Sequence, residues 1–133
     1  MSDTATTVRH YFGIVADLAS SEDDLRAVLH PDVRVVEHPN PITPGGAIRD
    51  LEGTVAGFLA GKRLLTAQRF EIQDLLADGE RAAVRATWHG TIGIDTPRLP
   101  EGSQLVAHIG AFVVLAEGLV REHQTFDCYE PFG

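Results

Sequence analysis

The chain has 133 residues, 44% hydrophobic and 23% charged, with a formal net charge of −8 and a pI near 5.1. These values describe one globular domain over residues 1–133, long enough to bury a core, and they exclude global disorder. The acidic balance argues against nucleic acid or anionic membrane as a partner, and no apolar run approaches the roughly 20 residues of a membrane span.

The start, Met1-Ser2-Asp3-Thr4, lacks the basic and apolar regions of a signal peptide. A single cysteine, Cys128, rules out an internal disulfide and fits a cytoplasmic protein. Its expected role is a small buried apolar residue, with a nucleophile as the competing reading.

Thr4 to Ala19 reads as a helix, because Val8, Tyr11, Phe12, Val15, Leu18 and Ala19 recur at three- and four-residue steps. Ser21 and Asp24 have the spacing of a capping box, so a second helix starts there, with Leu25, Val28 and Leu29 inward. Pro31 is expected to end it. Val33 to Glu37 is β-rich and forms a first strand.

His38 to Gly46 carries three prolines and two glycines in nine residues, a loop by composition. A third helix then places Ile48, Leu51, Val55, Phe58 and Leu59 on one face and fades at Gly61. From Gln68 the period changes to two, and Asp78-Gly79 supplies a hairpin turn. Ala82, Val84, Ala86 and Trp88 share one face of the next strand, with Arg81, Arg85 and His89 on the other. Thr91 to Gly102 is an excursion with two prolines. Gln104 to Leu115 is a long apolar strand, turned at Glu117-Gly118 into a last strand. Leu105, Ile109, Ala111 and Val113 are read as its outward face, which predicts a homodimer covering them.

Helices first and long strands after predict an α+β fold. Three N-terminal helices pack on a strongly curved antiparallel sheet, a cone enclosing a pocket of the kind that takes ligands.

The chain resembles the nuclear transport factor 2-like superfamily, and within it the SnoaL-like branch. The residues that carry the resemblance are His38-Pro39-Asn40 with Pro44-Gly45, Ala67 to Glu71, Trp88-His89-Gly90-Thr91, Leu99 to Gly102, and Phe126 to Phe132. It covers about Val8 to Phe132. The superfamily includes cyclases, isomerases, epoxide hydrolases, dehydratases and non-catalytic binders, so a fold of this kind does not by itself name a function. The resemblance implies the cone, a homodimer joined through the sheets' outer faces, and acid–base chemistry without a cofactor. That chemistry would rest on an Asp or Glu helped by His, Tyr or Trp. Tyr11 lies on the helix that carries the tyrosine of the steroid isomerases of this fold. The arginine-flanked aspartate pair expected of an epoxide hydrolase is missing.

The last strand holds the densest set of chemical groups. His123, Thr125 and Asp127 share a face by the period of two. Asp127, between Phe126 and Cys128, is the expected catalytic carboxylate, with a raised pKa from desolvation; a structural carboxylate is the competing reading. His123 stands about 13 Å from it along the strand, so the two can touch one ligand but not each other. His108 lies mid-strand among apolar residues, where an imidazole needs a partner, and is the other expected proton partner.

Of Glu37 and His38, adjacent at the end of the first strand, only one can face a pocket. Trp88, Phe12 and Phe112 are expected walls, and Asn40, Tyr11 and Gln68 complete the expected substrate-binding set, Asn40 also being a turn-former. The six histidines show no metal-ligand spacing, and no phosphate loop or nucleophile elbow occurs. The expected function is a cofactor-independent cyclase or isomerase acting on a hydrophobic, oxygenated small molecule. A non-catalytic binder of the same fold is the alternative, and a protein-interaction module the third reading.

Overall fold

A computed structural model describes residues 3–132. The chain runs α1 (Thr4–Ala16), α2 (Glu22–Arg26), β1 (Leu29–Glu37), β2 (Ala47–Arg49), α3 (Leu51–Leu64), β3 (Leu65–Asp78), β4 (Arg81–Ile92), β5 (Gln104–Ala116) and β6 (Leu119–Tyr129). The strands form one curved, open sheet in the order β2-β1-β6-β5-β4-β3. Every neighbouring pair is antiparallel except β1 and β6, which run parallel.

Each helix opens on a side-chain cap. Asp3 accepts from the Thr6 amide at 2.7 Å and Asp50 from the Gly53 amide at 2.8 Å. Ser21 and Asp24 form the reciprocal box expected from their spacing, at 3.0 and 2.8 Å. α1 stops three residues short of Ala19, because Asp17 turns the chain by accepting the Ala19 amide at 2.9 Å. α2 ends at Arg26, well before Pro31. That proline lies inside β1, where the pairing with β6 is interrupted between Leu29 and Arg34, a place that tolerates a missing N–H. Ile48, expected on the buried face of the third helix, belongs to the edge strand β2 and is exposed.

Register decides which side chains look inward, since directly paired residues share a face. Trp88 pairs with Ala107, Ala86 with Ile109 and Val84 with Ala111. Tyr129, Asp127, Thr125 and His123 of β6 pair with Ala107, Ile109, Ala111 and Val113. These rows line the concave side, against which α1 packs Val8, Tyr11 and Phe12, all buried. Fully burying a side chain of this size contributes about 1.5–3 kcal/mol. A smaller cluster of Ile92, Leu99 and Leu105 lies apart from the main core, and Trp88 and Tyr129 touch both clusters.

The face of β5 is the reverse of the expectation. Leu105, Ile109, Ala111 and Val113 are buried inside the cone, and the outward row is Val106, His108, Gly110, Phe112 and Val114. Both alternate sets of this strand are largely apolar, and a shift of one residue exchanges the faces. Among the described residues no helix is long and apolar enough to cross a membrane.

Candidate functional site

The concave row of β6 supplies most of the site. His123, Thr125 and Asp127 line a cavity of about 140 Å³ with Tyr11, Phe12 and Val15 of α1, Phe70 of β3 and Ile109 of β5. The two polar ends of this apolar chamber are His123 and Asp127, separated along the strand as their spacing requires. Burial pushes the Asp127 carboxyl above the ordinary carboxylate range; the Thr125 hydroxyl, which donates to its Oδ1, opposes the rise, and the Glu37 carboxylate adds to it.

His123 packs against two aromatic rings, with centroids 5.5 Å from Tyr11 and 5.7 Å from Phe12. Its Nδ1 lies 2.8 Å from the Tyr11 hydroxyl. Its Nε2 is buried and has no hydrogen-bond partner among the described residues. Burial lowers the His123 pKa to about 4, so the ring is neutral at physiological pH, and the same burial raises the Tyr11 phenol.

A wider cavity of about 680 Å³ lies between α3, the loop after β4 and the mouth of the sheet, bordered by Trp88, Leu105, Tyr129 and Phe132. Glu37 is the member of the Glu37–His38 pair that faces it. Burial works to raise its carboxyl, but hydrogen bonds from Asn40, Arg49 and Thr43 outweigh that and hold it below the ordinary range. Arg49 Nη1 and Asn40 Nδ2 donate to its two oxygens, each at 2.9 Å. Asn40 also donates to the His38 carbonyl and accepts the Ile42 and Thr43 amides, so both of its amide groups are spent on the loop.

Trp88 lines this larger cavity, and its Nε1 donates to Gln68 Oε1 at 2.9 Å. Gln68 lies on β3, not at the end of α3, and its Nε2 donates to the Val15 carbonyl. It therefore positions the indole, with both ends of its amide bonded inside the fold. Gly90 completes the setting: a Cβ there would lie 2.3 Å from the Trp88 ring, so only glycine lets the indole rest along the sheet. Tyr129, two residues beyond Asp127 on the same face, packs edge-on to Trp88 at 6.3 Å. Burial, and then the Asp127 and Glu37 carboxylates, raise its phenol and keep it protonated. Sequence reasoning passed over Tyr129, although its parity with Asp127 was sufficient to find it.

The structure places two expected site residues outside the cone. His108 pairs with Cys128 on the convex face, where its side chain is 59% exposed and its Nε2 meets Glu130 Oε2 at 2.8 Å. Phe112 is also convex and exposed, edge-on to Phe126 at 6.1 Å. Both follow from the inverted face of β5. Cys128, expected to be buried, is exposed for the same reason of parity, since its neighbours Asp127 and Tyr129 point inward. Tyr11, Phe12, His123 and Asp127 are brought together in one chamber, and Trp88 lines the next. Among the described residues no three His, Cys, Asp or Glu side chains are grouped to hold a metal ion.

Among solved structures, IdmH from Streptomyces antibioticus, a candidate polyketide cyclase, superposes with a TM-score of 0.78 at 20% identity, over 95% of this chain and 92% of that one. A candidate SnoaL-like polyketide cyclase from Jannaschia sp. CCS1 gives 0.74 at 19% identity, over 93% and 84%. A protein from Catenulispora acidiphila with a ketosteroid isomerase-like fold, in complex with trimethylamine, gives 0.74 at 12% identity, over 95% and 88%. At these identities the likeness is one of fold. No curated protein matches the sequence significantly. The family model described as the SnoaL-like domain matches residues 8–123, most of the chain, ending four residues before Asp127. The chain belongs to the SnoaL-like domain family.

Proposed function

We propose that the protein is a small, cofactor-independent enzyme performing acid–base chemistry of the cyclase or isomerase type on a hydrophobic, oxygenated molecule held in the cone. One observation carries this reading: a carboxyl raised by burial, Asp127, shares an apolar chamber with a neutral imidazole, His123. Acid–base catalysts are tuned this way, by desolvation that brings a carboxylate's pKa towards the working pH. Asp127 as the carboxylate would take a proton from carbon beside a carbonyl. The C–H electron pair would move to the carbonyl oxygen, and the enolate would then regain the proton elsewhere or attack a second carbonyl. His123, at the far end, would act as proton partner or hydrogen-bond donor. Phe12 would wall the chamber that holds Asp127, and Trp88 the larger cavity next to it. That structures named as candidate polyketide cyclases share the fold agrees with the reading.

A binding protein without catalysis is the second reading, favoured by the larger cavity. There Glu37 is locked by Arg49 and Asn40, and Tyr129 stays protonated, so no group at that wall is poised to exchange a proton. The two readings separate in one experiment. Libraries of cyclic ketones and polyketide-like aromatics are screened for turnover by the wild type and by Asp127→Asn. Turnover abolished by the substitution, with ligand affinity retained, supports the enzyme. Binding without turnover in either protein supports the binder. We also propose that the protein forms a cytoplasmic homodimer through the convex face, where Phe112 and Phe126 are exposed. Light scattering at micromolar concentration should give twice the monomer mass, and a stable monomer would contradict this.

A further inference from the structure

We propose that the wider cavity at the mouth of the sheet binds an apolar molecule carrying one carboxylate, with Arg98 as the residue that holds the acid group. This rests on the reading that the cone takes a small hydrophobic molecule, and it names the class of that molecule. It does not depend on proton transfer at Asp127.

The cavity has the size and lining for such a guest. Its volume of about 680 Å³ falls inside the roughly 300–1,000 Å³ of small-molecule sites. Leu64, Leu65, Trp88, Ile92, Leu99 and Leu105 are the large apolar groups on its walls. α3 adds no bulk to them, because it meets the cavity with Gly57, Ala60 and Gly61. A Cβ at Gly61 would find no atom within 4 Å, so packing of the fold does not call for glycine there. Glycine inside a helix is destabilising relative to alanine, and the space it leaves is room for a ligand.

Charge selects the other end of the guest. Three charged side chains line the cavity, Glu37, Arg49 and Arg98. Glu37 and Arg49 neutralise each other at 2.9 Å, and Glu37 takes further hydrogen bonds from Asn40 and Thr43. Arg98 remains, one positive charge on the wall of a cavity in a chain of net charge −8. Its guanidinium lies at the rim, where Nη1 donates to the Pro41 carbonyl at 2.9 Å and the central carbon sits 5.4 Å from the Phe132 ring centroid. Phe132, and Ile42 and Thr43 beside Pro41, line the same cavity. Arg98 is exposed, so a guest can reach it, and among the described residues no carboxylate pairs with it. A guanidinium carries five N–H donors in a planar fork that fits a carboxylate, and one is spent on Pro41. A cation would be repelled here, and a doubly charged phosphate would exceed the single counter-charge. A carboxylate at the rim keeps contact with water while its apolar body enters the cavity, so no charge is desolvated without a partner.

The test titrates the intact protein by calorimetry with 1-adamantaneacetate as the probe and 1-adamantaneacetamide as its uncharged control. The wild type should bind the acid about tenfold tighter than the amide, the worth of a hydrogen bond to a charged group at an exposed rim, and added salt should shrink the preference. Both compounds should change the fluorescence of Trp88, the chain's one tryptophan, which lines the cavity. Arg98→Gln, which keeps a donor for the Pro41 carbonyl, should bring the acid to the amide's affinity and leave the amide unchanged. Arg98→Lys should keep part of the preference. Gly61→Leu, which fills the cavity, should weaken both compounds. Equal affinities in the wild type overturn the proposal without recourse to any variant, and a guanidinium already matched by a carboxylate of the chain would give that result. An acid preference that survives Arg98→Gln overturns it as well, and so do affinities unchanged by Gly61→Leu. Binding of neither compound would sink both this proposal and the reading that the cone takes a hydrophobic guest. Full turnover by Asp127→Asn would overturn only the acid–base reading and leave this one standing.

Discussion

The two faces of β5 and β6 carry similar residues to opposite ends. On the convex side, His108 Nε2 meets the Glu130 carboxylate in solvent, beside the exposed Phe112, Phe126 and Cys128. On the concave side, one residue away in register, His123 and Asp127 are enclosed by Tyr11, Phe12 and Phe70. An exposed pair of this kind is worth 0–1 kcal/mol and does little else. The enclosed groups lose water without gaining full partners, so burial moves Asp127 up and His123 down. Chemistry here is decided by which side of the sheet a group falls on, more than by what the group is.

Turnover should separate the faces most strongly. Asp127→Asn removes a positioned acid–base group, for which losses of about 10²- to 10⁴-fold are typical. His108→Ala, on the convex side, should leave kcat/KM within about twofold. Comparable losses from the two would erase the distinction. Stability should follow the same division. Phe12→Ala opens the core and should cost about 3–5 kcal/mol by denaturant titration. Phe112→Ala, measured below any dimer concentration, should stay within about 0.5 kcal/mol.

Acid should act through the concave side next. The His123 pKa is about 4 in the folded protein against 6.5 for a free imidazole, so the unfolded chain binds the extra proton first. Stability from this group is fully present above about pH 6.5 and is lost as pH falls towards 4, by up to about 3 kcal/mol from the size of the shift. His123→Gln should flatten that slope, and His108→Gln should not. A smaller effect is expected at Gly90. Its Cβ would strike the Trp88 ring, so Gly90→Ala should cost about 1–3 kcal/mol and change the fluorescence of the chain's one tryptophan. An unchanged spectrum would show that the indole is not held as described.

The architecture was largely legible from periodicity, and so was the inward row of β6. Phe126, Cys128 and Glu130 alternate with His123, Thr125, Asp127 and Tyr129 clearly enough to assign two faces. β5 was illegible by the same rule. Its two alternate sets, Leu105 to Leu115 and Val106 to Val114, are both rich in apolar residues, and only the pairing of Ile109 with Asp127 settles which one is inside. That ambiguity put His108 and Phe112 at the site, whereas Cys128 was expected in the core from the usual burial of a lone cysteine, against its own parity with Asp127. The spending of Asn40 and Gln68 on Glu37, the loop and Trp88 was invisible for another reason. Their partners are distant or set by loop geometry, and no local pattern records them. The Tyr11–His123 contact spans 112 residues and likewise required the fold.

Titration of the carboxyl groups in the intact protein, followed by ¹³C NMR of labelled Asp and Glu side chains, bears most directly on the claim that the cone's interior tunes Asp127 for proton transfer. The account predicts that Asp127 titrates above the ordinary aspartate value of 3.8, while Glu37, equally part of the concave wall but held by Arg49 and Asn40, titrates below 4.5. An Asp127 that titrates at or below 3.8 would contradict it, because the carboxyl would then be a solvated or fully bonded structural group.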